Sequence, residues 1–242
     1  MLGIADTLLQ YDYSLLIFLN TLFAESRHLR SLALIINSVG DFVVACAIVA
    51  MWFSVKHGSV DYRHGRVAVL LMLLSLLPAY ASARLLQHVV TRPRPIVAVE
   101  LTPALNAPLW EETKVTFSHW GSLPSDHSVL MTITGITLFG LSRRVAMCFT
   151  LFCLLFFCCR IATGYHWPSD MVAGVGIGAA VSALMLASRS IVEKLLARVV
   201  ILFDRFPPLL YCMGFSFLVD LSSGFYYTQM IVRQAFHVRL FH

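Results

Sequence analysis

The sequence predicts an all-α membrane protein: a polytopic bundle of five to six transmembrane helices plus an N-terminal helix lying in the interface. Three observations carry this. Of the 242 residues, 58% are hydrophobic and only 13% charged, for a mean hydropathy of +0.77, far more apolar than soluble domains, in which roughly a quarter of residues are charged. The apolar residues come in blocks close to the roughly 20 residues a helix needs to cross the hydrocarbon. Basic residues gather between alternate blocks, the asymmetry by which membrane proteins set their orientation. The net charge of +5 serves that asymmetry, and no nucleic-acid partner is expected. The whole chain, 1–242, reads as one integral-membrane domain. Its N-terminus lacks a basic region, apolar core and small-residue cleavage site in sequence, so no removable signal peptide is expected.

The elements follow in order. Residues 10–24 are apolar but short and interrupted by Asp12 and Asn20, which suits an interfacial helix better than a crossing. Residues 32–55 can cross, with Asn37 and Asp41 facing the bundle interior. A polar loop with Lys56, Arg63 and Arg66 precedes the next crossing, 67–90, in which Pro78 predicts a kink. The alternating prolines of Thr-Arg-Pro-Arg-Pro (91–95) cannot continue a helix. Residues 96–123, with Trp110, Trp120, Glu111, Glu112 and Lys114, read as a loop at headgroup depth, where tryptophan is enriched. A short crossing at 125–142, a tight turn at Arg143 and Arg144, and crossings at 145–161 and 169–188 follow. The charged segment 189–205 holds Arg189, Lys194, Arg198 and Arg205; 207–228 is a last crossing despite Asp220, and 229–242 reads as interfacial.

Counting crossings puts 56–66, 143–144 and 189–205 on one face, which the positive-inside rule makes cytoplasmic. The segments 91–124 and 160–170 then share the other face. Arg92, Arg94, His127, Arg160, His166 and Asp170 converge there.

Each cluster has an ordinary reading beside a chemical one. In the turn Cys159–Asp170, Pro168 fits the first turn of the next helix. That sets His166 just before the helix and Asp170 inside it, close enough to grip an imidazole nitrogen. In Pro124-Ser125-Asp126-His127, Pro124 suits the first helical position and the next three residues the opening turn, whose unpaired N–H groups can hold an anion. Taken alone, an N-cap with Asp126 on the helix dipole would explain it equally well. Arg92 and Arg94 could be a juxtamembrane pair on headgroups, and Arg160 a charge at a helix C-terminus. Arginine forks nevertheless match phosphate geometry, and packing alone does not explain three arginines, two histidines and an aspartate on one face. Cys46, Cys148, Cys153, Cys158, Cys159 and Cys212 lack zinc-ligand spacing and read as small hydrophobes. Gly174, Gly176 and Gly178 mimic a dinucleotide fingerprint but follow no strand, so helix packing is their reading.

Together the clusters resemble the signature of the type 2 phosphatidic acid phosphatase superfamily: Lys-x6-Arg-Pro, Pro-Ser-Gly-His and Ser-Arg-x5-His-x3-Asp. Arg94-Pro95 matches the first block, Pro124, Ser125 and His127 the second, and Arg160, His166 and Asp170 the third, all within residues 87–170. Gln87 stands at the lysine position, Asp126 at the glycine and Cys159 at the serine. The wording Arg-Pro-Arg-Pro and Pro-Ser-Asp-His is similar to bacterial undecaprenyl-diphosphate phosphatase-like members.

The resemblance implies an integral-membrane lipid phosphatase of the bacterial inner membrane, with its site on the periplasmic face. Its partners would be a lipid phosphate substrate, preferably undecaprenyl diphosphate, and membrane lipids. His166 would attack phosphorus, Asp170 would hold its other nitrogen, and His127 would protonate the leaving group and then activate water. Arg94, Arg160, Ser125, Gln87 and Arg92 would bind the phosphate, with Asp126, Cys159 and Arg84 in support; Arg84 or Arg92 could replace the lost lysine charge. No metal or other cofactor is expected, because fixed cations neutralise the phosphate and magnesium-type ligand clusters are missing from the sequence. Two further readings are a phosphotransferase that passes the phosphoryl group to a second lipid, and a silent binding or transport protein with Asp41 and Asp220 on an ion path.

Overall fold

The structure, a computed structural model, describes residues 4–54, 60–98 and 121–223 together with 227, 230 and 231. The expected headgroup loop lies mostly outside these residues, as do Lys56 and nearly all of the tail. Eight helices form among the described residues: α1 (Ile4–Glu25), α2 (Arg27–Ser54), α3 (Val60–Val89), α4 (Asp126–Leu141), α5 (Arg143–Ala162), α6 (Pro168–Ala187), α7 (Arg189–Arg205) and α8 (Pro207–Ser222).

Four stretches are long and apolar enough to span a membrane: Arg27–Ser54, Arg63–Val89, Arg143–Ala162 and Pro168–Ala187. The chain is therefore built as a membrane protein. The expected crossings at 125–142 and 207–228 form helices of only 16 residues each, about 24 Å of rise against a hydrocarbon thickness of about 30 Å. The expected turn at Arg143 and Arg144 does not form. Ser142 alone, in extended backbone, ends α4 and starts α5, and both arginines are helical. The charged segment 189–205 is likewise a helix, α7, whose Leu196 and Val200 are buried against Val67 and Leu71 of α3.

A central core of Val129, Met131, Ile133, Phe149, Phe156, Val44, Val69 and Met72 joins α2, α3, α4 and α5. Helix α6 packs closely along α4 because two of its glycines face that helix. A Cβ at Gly174 would overlap Ser128 Oγ and Ser125 O, and one at Gly178 would crowd Val129 O and Thr132. Gly176 faces open space, so two of the three glycines carry the expected packing role. All six cysteines are free; Cys153 and Cys159 are buried in the core, whereas Cys46, Cys148 and Cys212 lie on the exterior.

Helix α1 extends the expected segment upstream and lies over the α5–α6 turn. Leu16 and Leu19 pack on Ile161, Ala162, Trp167 and Met171. The two polar residues that interrupt the helix are buried on the same face: Asn20 donates to Ala162 O (2.8 Å), and Asp12 accepts from Ser169 N (2.8 Å).

Candidate active site

The C-terminal ends of α3 and α5 and the N-terminal ends of α4 and α6 meet at one end of the bundle, and the sequence-predicted residues lie there. The opposite end carries Arg63, Arg66, Arg143, Arg144, Arg189, Lys194, Arg198 and Arg205. There Arg66 pairs with Asp204 (3.2 Å) and stacks on Trp52. The convergence expected from counting crossings is present in the packing.

His166 is fully buried in the turn before α6. Its Nδ1 lies 3.0 Å from Ser122 O and 3.5 Å from Asp170 Oδ2, and its Nε2 lies 2.9 Å from Arg94 Nη1. Ser122 O accepts only, and so does ionised Asp170, which assigns the proton to Nδ1 and leaves the Nε2 lone pair facing the guanidinium. Burial and the Arg94 cation push the His166 pKa down to about 4, so the ring is neutral at ordinary pH. Burial likewise lowers Arg94 to about 10, which keeps it charged. Asp170 acts more broadly than expected. Its Oδ2 accepts from Trp167 N (2.8 Å) and caps the start of α6, while Oδ1 takes Arg92 Nη1 (3.2 Å). The shorter grip on His166 comes from the Ser122 carbonyl, which no sequence motif announces.

His127 opens α4. Its Nδ1 is 3.1 Å from Asp126 Oδ1 and its Nε2 3.4 Å from Asp41 Oδ2, while Arg160 Nη2 approaches the ring nitrogens at 2.7 and 2.9 Å. Arg160 also stacks on Tyr165 and Phe156, and its buried Nε has no protein partner. Asp126 binds Arg84 through its other oxygen (3.0 Å). Gln87 is buried, donates to Pro124 O (2.8 Å) and accepts from Arg84 Nη1 (3.1 Å). The glutamine at the lysine position thus ties α3 to the segment before α4, and Arg84, one turn earlier, brings a cation to the same place. Cys159 is buried behind the site in the core.

Three expectations shift. Helix α4 starts at Asp126 with Ser125, in extended backbone, as its N-cap, two positions later than the proline rule suggests. The N–H groups expected to be open are also largely occupied. Ser125 N donates to Asp170 O, His127 N to Asp126 Oδ1, and Ser128 N to Ser125 Oγ. Ser125 and Asp126 are themselves the acceptors that close the helix start, so anion capture falls to arginine. Arg92, expected on phosphate, sits between carboxylates: Asp12 Oδ2 (2.6 Å), Asp170 Oδ1 (3.2 Å) and the Ser169 hydroxyl (2.6 Å).

Asp12, Asp41 and Ser122 are the site residues that sequence reasoning missed as such. For Asp41 a signal existed: Asn37 and Asp41 are one helical turn apart on an apolar helix, and Asn37 Nδ2 indeed reaches Thr163 Oγ1 (3.0 Å) at the end of α5. Among the described residues no group of three or more His, Cys, Asp or Glu side chains is disposed around a common metal position.

Comparison with family models matches residues 68–192 to the PAP2 superfamily, a stretch that contains all three motif blocks quoted above. No curated protein and no solved structure matches the chain.

Proposed function

Because the chain belongs to the PAP2 superfamily, whose members are phosphatases, we propose that it is an integral-membrane lipid phosphatase working through a phosphohistidine on His166. The observation that carries this reading is the state of His166: buried, neutral, tied at Nδ1 to Ser122 O, with Nε2 turned toward Arg94. A lone pair held beside a cation is how a nucleophile is aimed at a phosphoryl group.

Arg94 and Arg160 bind the equatorial oxygens, where negative charge spreads in the transition state. Nε2 of His166 attacks phosphorus. The bond to the leaving oxygen breaks, and that oxygen takes the proton from His127 Nε2. The proton of His166 stays on Nδ1, donated to Ser122 O and Asp170, which stabilise the cation that forms. Water then attacks the phosphohistidine as His127 takes a proton back. Ser125 adds its hydroxyl as a donor, Arg84 substitutes for the missing lysine charge, and Arg92 holds Asp170.

The substrate is a lipid phosphate or diphosphate whose tail lies between helices. Undecaprenyl diphosphate is preferred on the wording Arg-Pro-Arg-Pro and Pro-Ser-Asp-His. The chain acts as one domain in a bacterial inner membrane, with the site on the periplasmic face, opposite the arginine-rich end. The test is a panel of lipid phosphates and diphosphates, assayed in detergent for inorganic phosphate with His166→Ala as control. Release by the wild type alone supports the reading; no release from any substrate contradicts it.

A further inference from the structure

We propose that Asp41 positions the hydrolytic water, holding it against both its own carboxylate and His127 Nε2, so that the phosphohistidine is passed to water and not to an alcohol. The proposal rests on the phosphatase reading above and assigns a role to a residue outside the matched region.

Asp41 stands on α2, and the helix brings it there by a close approach. A Cβ at Gly40 would overlap the Phe156 ring, so glycine lets α2 close on α5. Phe156 lies 5.6 Å from the His127 ring, centroid to centroid. One turn earlier, Asn37 donates to Thr163 Oγ1, which itself donates to Cys159 O, and this pins α2 to the end of α5. Asn37 Oδ1, one turn before Asp41, is buried with no protein partner.

The separation of 3.4 Å between Asp41 Oδ2 and His127 Nε2 is long for a direct hydrogen bond. It is short enough for one water to touch both atoms. Both side chains are partly open, 25% and 21% exposed, so water can reach the pair and sit beside it in contact with both atoms. Nδ1 of His127 faces Asp126, whose other oxygen is held by Arg84, while Nε2 faces Asp41 and Arg160 Nη2 (2.7 Å); once the phosphoryl oxygens take that guanidinium, Nε2 is the nitrogen that cycles a proton.

In the first step His127 Nε2 gives its proton to the leaving oxygen. In the second, one water hydrogen goes to Nε2 and the other rests on Asp41 Oδ2. The water oxygen forms its bond to phosphorus as the P–N bond to His166 breaks, which releases phosphate and restores protonated His127. An alcohol has only one hydrogen to donate, so it cannot satisfy both acceptors. The carboxylate therefore selects water.

The experiment measures partitioning. Purified protein is given a lipid phosphate labelled with 32P in the presence of glycerol, and free phosphate and glycerol phosphate are counted together. Because both products come from the same active molecules, their ratio does not depend on the fraction folded. Asp41→Asn is expected to raise the transfer-to-hydrolysis ratio about tenfold, the scale of one hydrogen bond made in one of two competing steps. Asp41→Glu is expected to return the ratio toward the wild-type value. If Asp41→Asn turns over too slowly to count, accumulation of labelled phosphohistidine supports the proposal, and neither label nor product overturns it. An unchanged ratio overturns it too, while wild-type release leaves the phosphatase reading intact. Silence from the wild type on every lipid phosphate removes that reading, and this proposal with it.

Discussion

At the scale of single residues, the two histidines are set apart by what surrounds them. His166 is walled in beside Arg94 and stays neutral, whereas His127, also beside an arginine, has two carboxylates around it, Asp126 and Asp41. In the proposed mechanism the extra carboxylate beside His127 suits it to carry a proton, and the neutral His166 to attack. His166→Ala is expected to lower kcat roughly ten-thousand-fold, the scale of losing a covalent nucleophile, read as phosphate release. Arg160→Lys replaces a fork by a point charge and is expected to cost about a hundred- to a thousandfold in kcat, as for a lost preorganised donor. The pH profile follows from His166. Because its pKa is depressed to about 4, kcat/KM should keep its acid limb near that value, since protonation removes the attacking lone pair. Arg94→Gln removes a cause of the depression, so the pKa rises and the limb moves to higher pH; an unmoved limb would show that another group sets it. That these residues gather at one end of the bundle was legible from residue type and spacing. Their partners were not: a carbonyl such as Ser122 O has no sequence signature, and the use of Arg92 by Asp12 depends on a contact 80 residues away.

At the scale of elements, the seam between α4 and α6 holds the site together. Gly174 faces the Ser125 carbonyl, and Ser125 is the cap of the helix that carries His127. Gly174→Ala pushes on backbone that cannot swing away, so it should cost about 1–3 kcal/mol of stability and lower activity as well. The melting temperature in detergent and the phosphate assay check the two parts. Gln87→Lys tests the departure at the lysine position. The glutamine already donates to Pro124 O and lies 3.1 Å from Arg84, so an ammonium would meet a like charge in a buried place. The expected result is lower activity and a lower melting temperature; a gain would show that the site lacks a cation. Helix positions were readable because apolar blocks and prolines mark them, as with Pro168 at the first turn of α6. The start of α4 was read two residues early because proline tolerance at a helix start does not fix which residue is first. Segment 189–205 was read by its charge alone, although Leu196 and Val200, four residues apart, already marked one apolar face.

At the scale of the whole molecule, the bundle sorts its charges by end. Acidic and basic groups at one end form a paired cluster around the imidazoles, and the other end is rich in arginine. With the native cysteines replaced, a cysteine at His88 should react with an impermeant maleimide from outside the membrane and one at Arg144 only after permeabilisation. Labelling of both from the same side would break the proposed topology. Four long apolar helices were readable from hydropathy alone. The place of α1 was readable only in part, because Asp12 and Asn20 look like interruptions in the sequence and prove to be its anchors on the α5–α6 turn. The claim on which the rest depends is that a phosphoryl group is passed to His166 at the cluster end. It is tested most directly by rapid acid-free quenching with 32P-labelled lipid phosphate, followed by mapping of the labelled peptide. The account predicts an acid-labile, base-stable phosphate on the peptide that contains His166, lost in His166→Ala. Steady turnover with no such label under rapid quenching, or with label on a different side chain, would contradict it.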